Sequence, residues 1–221
     1  MSQYSLEREE VVNTCHTLLE RGYLKATEGN ISVRVREENA FAITPSNYDY
    51  AKMTMEDICV LDYERNVLTG TMKPSIESGM HAEVYLNRPD VHAIIHTHQP
   101  YASALALIKM PIPALFDEQV LFLGRSVDLV PYAPSGTRFL SNKVRKQIKS
   151  GNNAFILQNH GVLVLAANTE RAIHNMALLE KCAFTYLLAL LTEKKVYKIP
   201  LPIREIAFAK LKADEKKFAE N

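Results

Sequence analysis

The sequence has few cysteines, and the three that it has are far apart. Cys15, Cys59 and Cys182 form no CxxC pair, and their number is odd. A disulfide framework or a thiolate metal site requires paired or closely spaced cysteines, so we expect neither. Reduced, buried thiols are the expected state, and any metal site must therefore use nitrogen and oxygen ligands.

The sequence also lacks an excess of charge of either sign. It has 26 basic and 25 acidic residues, which gives a formal net charge of +1. Proteins that bind nucleic acids or membrane surfaces normally carry a basic excess or a basic stripe. The charge balance therefore favours a partner that is neither a nucleic acid nor a membrane.

Long apolar runs and nucleotide-binding glycine motifs are missing as well. The first ten residues are polar and charged, without the apolar centre of a signal peptide. The apolar stretch around residues 187–191 is too short and too interrupted to span a membrane. Neither GxGxxG nor a Walker A segment occurs. We therefore expect a cytoplasmic protein whose fold has no local nucleotide-binding signal.

Helical and strand patterns occur in mixed order along the chain. Helical spacing of apolar residues predicts helices at residues 5–21, 76–86, 101–108, 141–148 and 169–192, with a charged helical tail from residue 203. Apolar or alternating runs predict strands at residues 31–35, 41–43, 58–62, 67–70, 91–98, 124–130, 154–157 and 162–165. Without an internal repeat or linker, this order favours one α/β domain over residues 1–221, with a mixed sheet covered by helices.

The predicted strand at residues 91–98 carries the strongest chemical signal. Side chains alternate between the faces of a strand, so His96 and His98 point the same way. A rise of about 3.3 Å per residue puts their Cβ atoms roughly 6.5–7 Å apart. Two imidazoles at that separation can bind one ion at Zn–N distances of about 2.0–2.1 Å. The alternative is a pair of ordinary core or surface histidines, and we interpret His92 as structural.

Three further residues each leave two interpretations open. His160 lies in a predicted turn between two apolar strands, as a loop histidine or as a site residue on a rigid scaffold. Glu77 lies in the first turn of a predicted helix, where it either stabilises the helix dipole or serves as a metal ligand or proton carrier. His81 follows four residues later and could pair with Glu77 as a ligand, in competition with the strand pair.

Six segments, in this order, resemble the class II aldolase/adducin family, and in particular its L-fuculose-1-phosphate aldolase type. The resemblance runs from about residue 5 to residue 191. The segments are Gly29-Asn30-Ile31-Ser32, Ile43-Thr44-Pro45-Ser46, Lys73-Pro74-Ser75-Ile76-Glu77, His96-Thr97-His98, Pro131-Tyr132-Ala133-Pro134 and Gln158-Asn159-His160-Gly161. Together they are specific for the family, and less so for one activity within it.

The resemblance implies a three-layer α/β/α fold around a mixed, largely antiparallel sheet, and a homotetramer with active sites at subunit interfaces. It implies Zn²⁺ as the cofactor, with Mn²⁺ or Co²⁺ as alternatives. The implied metal ligands are His96, His98, His160 and Glu77. Glu77 is also the implied acid/base once the substrate displaces it from the metal. The residues implied near a substrate phosphate are Gly29, Asn30, Thr44 and Ser75.

These residue types suit that chemistry. Three neutral imidazoles leave a bound ion Lewis acidic, with an open coordination position. Such an ion can stabilise an enediolate, the common intermediate of aldol cleavage. Glu77 could then move a proton at the carbon next to the carbonyl. Turn amides and hydroxyls can hold an anion without a basic side chain.

Three positions differ from the aldolase type of the family. Ile76 stands where a second serine is usual, and Glu28 stands among the small residues before the glycine turn. Both changes weaken a phosphate site, so an unphosphorylated keto acid stays an alternative substrate. Asp117 lies near the position of a proton-donating tyrosine. Asp117 or Glu118 could replace that donor, and the alternative is that both are ordinary surface acids.

The leading prediction is a metal-dependent lyase that cleaves a small ketose phosphate by a retro-aldol reaction, through a metal-stabilised enediolate. The same site could instead serve a sugar-phosphate 4-epimerase, a keto-acid decarboxylase or a dehydratase. A third alternative is a non-catalytic, adducin-like interaction module. The presence of all three histidines and Glu77 argues against that module, because burying such a cluster is costly.

Overall fold

The computed structural model describes residues 3–219, so the predicted domain limits at residues 1 and 221 lie outside the described part. The strands are β1 (Asn30–Val35), β2 (Ala40–Ile43), β3 (Cys59–Asp62), β4 (Val67–Thr69), β5 (Ala93–Thr97), β6 (Asp128–Val130), β7 (Ala154–Leu157) and β8 (Gly161–Ala166). The helices are α1 (Ser5–Glu20), α2 (Ser78–Asn87), α3 (Pro100–Leu107), α4 (Asp117–Phe122), α5 (Arg138–Gln147), α6 (Thr169–Leu191) and α7 (Leu201–Ala219). In this part of the chain, none of the helices combines the length and apolar character needed to cross a membrane.

The eight strands form one sheet in the order β4-β3-β2-β1-β5-β8-β7-β6. Every neighbouring pair is antiparallel except β6 and β7, which are parallel. The predicted mixed, largely antiparallel sheet is therefore confirmed.

Both faces of the sheet are apolar and covered by helices. On β5, Ile95 faces a core built with α1, α3 and α6, while its neighbour Ile94 faces a second core built with α2 and α5. Because successive strand residues point to opposite faces, a strand buried on both sides reads as a continuous apolar run. The two cores make the fold an α/β/α sandwich of three layers, as predicted.

The start of α2 differs from the prediction. The helix begins at Ser78 and not at residue 76, and Glu77 occupies the N-cap position. A tight turn precedes it, in which the Ser75 hydroxyl accepts a hydrogen bond from the Glu77 amide at 3.3 Å. The Ser75 carbonyl accepts another from the Ser78 amide at 3.1 Å. The turn leaves Glu77 at the N-terminal end of α2, facing the sheet edge.

The segment before β6 also differs from the prediction. Residues 124–126 are a loop and Val127 forms only an isolated bridge with Ile112, so β6 begins at Asp128. Gly124 has a φ of +106°, and the Asn152 side chain accepts a hydrogen bond from the amide of Arg125 at 2.9 Å. The short helix α4 was not predicted, because six residues are too few to show a helical period.

The sheet register brings three strand ends to one edge of the sheet. Asn30, the first residue of β1, pairs with His96 near the end of β5. On the other side of β5, Thr97 pairs with Val162 at the start of β8. Since all three strands are antiparallel neighbours, the start of β1, the end of β5 and the start of β8 lie together. Polar side chains at these ends therefore meet at this edge.

A buried carboxylate holds the segment that follows β5. Glu180 of α6 accepts hydrogen bonds from the amides of Tyr101 and Ala102, at 2.8 and 3.1 Å. These two amides belong to the first turn of α3, where backbone N–H groups have no partner within the helix. Glu180 therefore caps α3 from a distance and ties the chain after His98 to the body of the protein.

We expect Glu180→Ala to lower the free energy of unfolding by about 1–3 kcal/mol, because it leaves buried N–H donors unpaired. Glu180→Gln keeps one acceptor oxygen and should lose less. Denaturant unfolding monitored by circular dichroism measures both, with the exposed Glu37→Ala as a control that should stay within about 0.5 kcal/mol of the parent. Equal stability of the Ala and parent proteins would exclude the capping role.

Candidate metal centre

Three histidines converge at the sheet edge. His96 lies on β5, His98 lies one residue beyond its end, and His160 lies just before β8. One ring nitrogen of each residue lies within 4.8 Å of those of the other two. The Nε2 atoms of His96 and His98 are 3.3 Å apart. Strand alternation predicts the closeness of the first two, and the turn before β8 adds the third.

The ring of His96 is oriented by the backbone. Its Nδ1 lies 2.7 Å from the carbonyl oxygen of Val162, and a carbonyl can only accept, so Nδ1–H donates. Nε2 is therefore the atom directed at the cluster. In His98, Nδ1 lies 4.0 Å from a carboxylate oxygen of Glu28, which leaves Nε2 facing His96. A ligand histidine whose other ring nitrogen donates to a backbone carbonyl, as in His96, is typical of metal sites.

Two close approaches of the backbone set the positions of the histidines. A Cβ atom on Gly161 would lie 2.5 Å from the carbonyl oxygen of Thr97 and 2.6 Å from Cδ2 of His98. A Cβ atom on Gly29, whose φ is +85°, would lie 2.4 Å from the carbonyl oxygen of His96. Only glycine fits at either position, so the strand end with its two histidines is enclosed on both sides by glycine backbone.

The carboxylate of Glu77 lies against the histidines. Oε2 is 3.1 Å from Nε2 of His96, and Oε1 is 3.4 Å from Nε2 of His160. Each oxygen also accepts one hydrogen bond at 2.8 Å, from Nδ2 of Asn30 at Oε2 and from the hydroxyl of Ser135 at Oε1. Glu77 is only 5% exposed. The carboxylate is therefore held by donors on both sides and faces the nitrogens of His96 and His160.

The charges at the site follow from burial and from this contact. Burial would raise the pKa of Glu77, but His96, His160 and Asn30 together hold the pKa well below its usual range. Burial would lower the pKa of His96, but the Glu77 carboxylate raises it above the usual value. Burial and the charge of His96 lower the pKa of His160 to about 4 and also lower that of His98. The carboxylate of Glu77 therefore favours a protonated His96, whereas burial favours neutral rings for His98 and His160.

This donor set fits a divalent metal ion. Three imidazole nitrogens and one carboxylate are the ligand types of catalytic zinc sites, which keep one position open for water or substrate. His96 is fully buried, whereas the side chains of His160 and His98 are 13% and 34% exposed. The cluster is therefore closed on the protein side and accessible on the other. The predicted ligands His96, His98, His160 and Glu77 are all brought together.

The four residues predicted to bind a substrate anion lie at the same edge. Gly29 and Asn30 precede and begin β1, beside His96. Thr44 follows β2, and its carbonyl accepts a hydrogen bond from the amide of Ser75 at 3.2 Å. Ser75 in turn bonds to the amide of Glu77. Both Thr44 and Ser75 are buried. The side chain of Asn30 is already engaged by Glu77.

The structure does not bring Asp117 to this cluster. Asp117 is exposed in the first turn of α4, and among the described residues it makes no ion pair or hydrogen bond with the histidines or Glu77. Its neighbour Glu118 lies 3.5 Å from His174 and 3.3 Å from Lys181 of α6, so it is a surface ion-pair residue.

Two other histidines of the sequence analysis lie outside the ligand cluster. His92 contacts Glu10 at 3.1 Å, in agreement with a structural role. His81 points away from the three ligand histidines, with Nε2 2.6 Å from Oδ1 of Asn30 and Nδ1 2.6 Å from the hydroxyl of Ser32. In the described part of the chain, His81 is not in the group of possible ligands, so the helical Glu77–His81 pair is not formed.

Ser135 is a site residue that the sequence analysis missed. It follows the Pro131–Pro134 segment directly, and this position is the only signal that could have drawn attention to it. The segment passes over the start of α2, where a Cβ atom on Gly136 would lie 3.3 Å from the side chain of Ile76. The loop thereby places the Ser135 hydroxyl where it donates to Oε1 of Glu77.

Comparisons with known proteins point to one family. The family model described as the class II aldolase and adducin N-terminal domain matches residues 9–187. The chain is 35% identical over 180 residues to 5-deoxy-D-ribulose 1-phosphate aldolase of Bacillus thuringiensis serovar kurstaki, covering 81% of this chain and 84% of that protein. It is 32% identical over 190 residues to L-fuculose phosphate aldolase of Escherichia coli strain K12, covering 86% of each.

The fold is similar to that of a solved structure as well. An L-fuculose 1-phosphate aldolase superposes with a TM-score of 0.88 at 35% sequence identity, over 94% of this chain and 97% of that one. The predicted family, the predicted fold and the prediction of a lyase-type enzyme are thereby confirmed. The chain belongs to the class II aldolase and adducin family.

Proposed function

We propose that this protein is a metal-dependent aldolase that cleaves a small ketose 1-phosphate into dihydroxyacetone phosphate and an aldehyde. The observation that carries the proposal is the convergence of three histidine nitrogens on the buried carboxylate of Glu77. Relatives at 35% and 32% identity are named as aldolases of two different sugar phosphates, which supports a phosphorylated ketose as the substrate class.

His96, His98 and His160 would hold the metal ion, which we propose to be Zn²⁺, with Mn²⁺ or Co²⁺ as alternatives. Glu77 would complete the ligand set in the resting protein, since its oxygens lie 3.1 and 3.4 Å from two of these imidazoles. Bound there, the ion supplies a Lewis acid that polarises the substrate carbonyl and stabilises the negative charge developing on its oxygen.

Glu77 is the proposed proton carrier. Its lowered pKa keeps it ionised at neutral pH, as a base requires. Cleavage removes the proton of the hydroxyl on the carbon that becomes the aldehyde. It adds a proton to the carbon beside the ketone carbonyl. Glu77 would exchange that proton at the carbon. Asn30 and Ser135 hold the carboxylate in one orientation, which keeps its reacting oxygen in place.

The proposed phosphate site lies beside the metal site and uses Gly29, Asn30, Thr44 and Ser75. Backbone amides and hydroxyls would bind the anion there without a lysine or arginine. Glu28, whose carboxylate would repel a phosphate, lies 4.0 Å from Nδ1 of His98 and is 58% exposed. A metal ion bound to His98 would offset its charge, so Glu28 does not rule out a phosphorylated substrate.

A second acid is proposed to come from a neighbouring copy of the chain. Asp117 makes no contact with the metal site within its own chain, so a role as proton donor requires an assembly with active sites between subunits. We propose a homotetramer of this kind. Exposed apolar side chains on α3 and α6 support subunit contacts, among them Leu107 at 65% exposure and Leu191 at 78%.

The purified protein should contain about one divalent metal ion per chain, and His96→Ala should abolish that content. The substitution removes the buried ligand that the Val162 carbonyl orients. Elemental analysis after dialysis measures the content, with His174→Ala, a half-exposed histidine of α6 that contacts Glu118, as the matched control that retains metal. Unchanged metal in His96→Ala would contradict the three-histidine site.

Glu77→Gln should retain the metal and lose exchange of the substrate proton, because the amide cannot act as a base. Positioned acid–base groups contribute roughly 10²–10⁴-fold, so a rate loss in that range is expected. Deuterium incorporation into the hydroxymethyl carbon of dihydroxyacetone phosphate, followed by NMR, measures the exchange. Glu28→Gln is the control carboxylate near the cluster and should keep exchanging. Full exchange by Glu77→Gln would remove Glu77 from the mechanism.

The substrate class is tested with a panel of ketoses and keto acids, assayed with Zn²⁺, Mn²⁺ or Co²⁺. L-fuculose 1-phosphate and 5-deoxy-D-ribulose 1-phosphate should be cleaved, and their unphosphorylated forms should react much more slowly. The phosphate should contribute to substrate binding mainly through contacts with the two segments that contain Asn30 and Ser75. Epimerisation without cleavage, or decarboxylation of a β-keto acid alone, would overturn the aldolase assignment.

A further inference from the structure

We propose that His81 is a positioning residue that holds the side-chain amide of Asn30 in the orientation that donates to Glu77. The inference rests on the proposed role of the Glu77 carboxylate. His81 is completely buried on α2 and is not among the possible metal ligands of the described residues. Its two ring nitrogens instead contact Asn30 and Ser32, both at 2.6 Å.

The charge of Glu77 selects the direction of these contacts. The ionised carboxylate of Glu77 can only accept, so Nδ2 of Asn30 must face it, at 2.8 Å. Oδ1 of Asn30 therefore faces His81 and needs a donor, so Nε2 of His81 must carry a proton. With the ring neutral, Nδ1 has a free lone pair and accepts from the hydroxyl of Ser32.

The far end of this series of hydrogen bonds is formed by two hydroxyls. When the Ser32 hydroxyl donates to His81, its oxygen accepts from the hydroxyl of Tyr85 at 2.8 Å, a shorter contact than the 3.3 Å between the Tyr85 hydroxyl and the His92 carbonyl. Burial and the charge of His96 lower the pKa of His81 to about 3, in agreement with the neutral ring. The hydrogen bonds thus run in one direction, from Tyr85 through Ser32 and His81 to Asn30. Asn30 then donates to Glu77.

The physical need for His81 follows from the symmetry of an amide side chain. An Asn side chain has nearly the same shape when it rotates by half a turn, but the rotation exchanges its donor for its acceptor. A rotated Asn30 would place Oδ1 against the carboxylate of Glu77 and repel it. With a proton on Nε2, His81 pairs Oδ1 of Asn30 in the orientation that donates to Glu77, whereas in the rotated orientation two N–H groups would face each other.

The test uses His81→Met, which fills a similar volume without a donor, and His81→Gln, whose amide can still donate. Loss of a partner in the outer layer of a metal site typically reduces activity about 10–100-fold, and we expect a loss in this range for His81→Met. His81→Gln should recover most of that activity. His174→Met is the matched control and should leave the rate unchanged, and metal content should remain about one ion per chain in every variant.

A double-mutant cycle separates positioning from general damage to the fold. If His81 acts only through Asn30, His81→Met should have no further effect on kcat/KM in an Asn30→Ala background. A reduction by the same factor in both backgrounds would overturn the proposal, as would full activity of folded, metal-loaded His81→Met. Should His81→Met fail to fold, Ser32→Ala takes its place in the cycle, because it removes the donor that fixes the ring of His81.

Crystal structures of the metal-loaded variants give a readout that does not depend on turnover. In His81→Met, Nδ2 of Asn30 should lie beyond hydrogen-bond distance of Glu77, and in His81→Gln it should remain within it. An Asn30 that stays in place in His81→Met would overturn the positioning role. A parent protein that cleaves no ketose phosphate would instead contradict the proposed function, and the crystallographic result would still decide the role of His81.

Discussion

The candidate site depends on the pairing of β5 with both β1 and β8. Asn30 pairs with His96, and Thr97 pairs with Val162, so three strand ends lie side by side at one edge of the sheet. A shift of one residue in either pairing would turn the paired side chains to the opposite face. The apolar residues on both faces of β5 resist such a shift, because each face packs into its own core. The candidate metal ligands are thus positioned by the burial of apolar residues outside the site.

The second constraint is the burial of an ionised carboxylate. Removing Glu77 from water is unfavourable unless its oxygens receive hydrogen bonds and face positive charge. Asn30 and Ser135 provide the hydrogen bonds, and His96 provides the charge in the absence of metal. A divalent ion would replace the His96 proton as the positive charge beside Glu77. Metal binding should therefore release protons and strengthen as pH rises. The same arrangement therefore serves both the stability of the site and its proposed chemistry.

The sequence allowed some of this site to be predicted, and the limits have physical reasons. His96 and His98 follow from strand alternation, since they are two residues apart on one strand. His160 and Glu77 lie far from them in sequence, and only the family resemblance united the four. Ser135 could not be found, because its loop is placed by tertiary packing. Helix α4 was missed because it is short, and the start of α2 was misplaced because the turn at Ser75 resembles a cap.

The two halves of the site differ in how substitutions can affect them. The ring of His96 is oriented by the main-chain carbonyl of Val162, which every amino acid at that position would provide. The carboxylate of Glu77 is oriented by two side chains, Asn30 and Ser135, which a single nucleotide change can replace. Substitutions at positions 30 and 135 would therefore disturb the orientation of Glu77, whereas a substitution at position 162 would leave the contact that orients His96 in place. In a chain built this way, the candidate acid–base group can lose its orientation while His96 keeps its own.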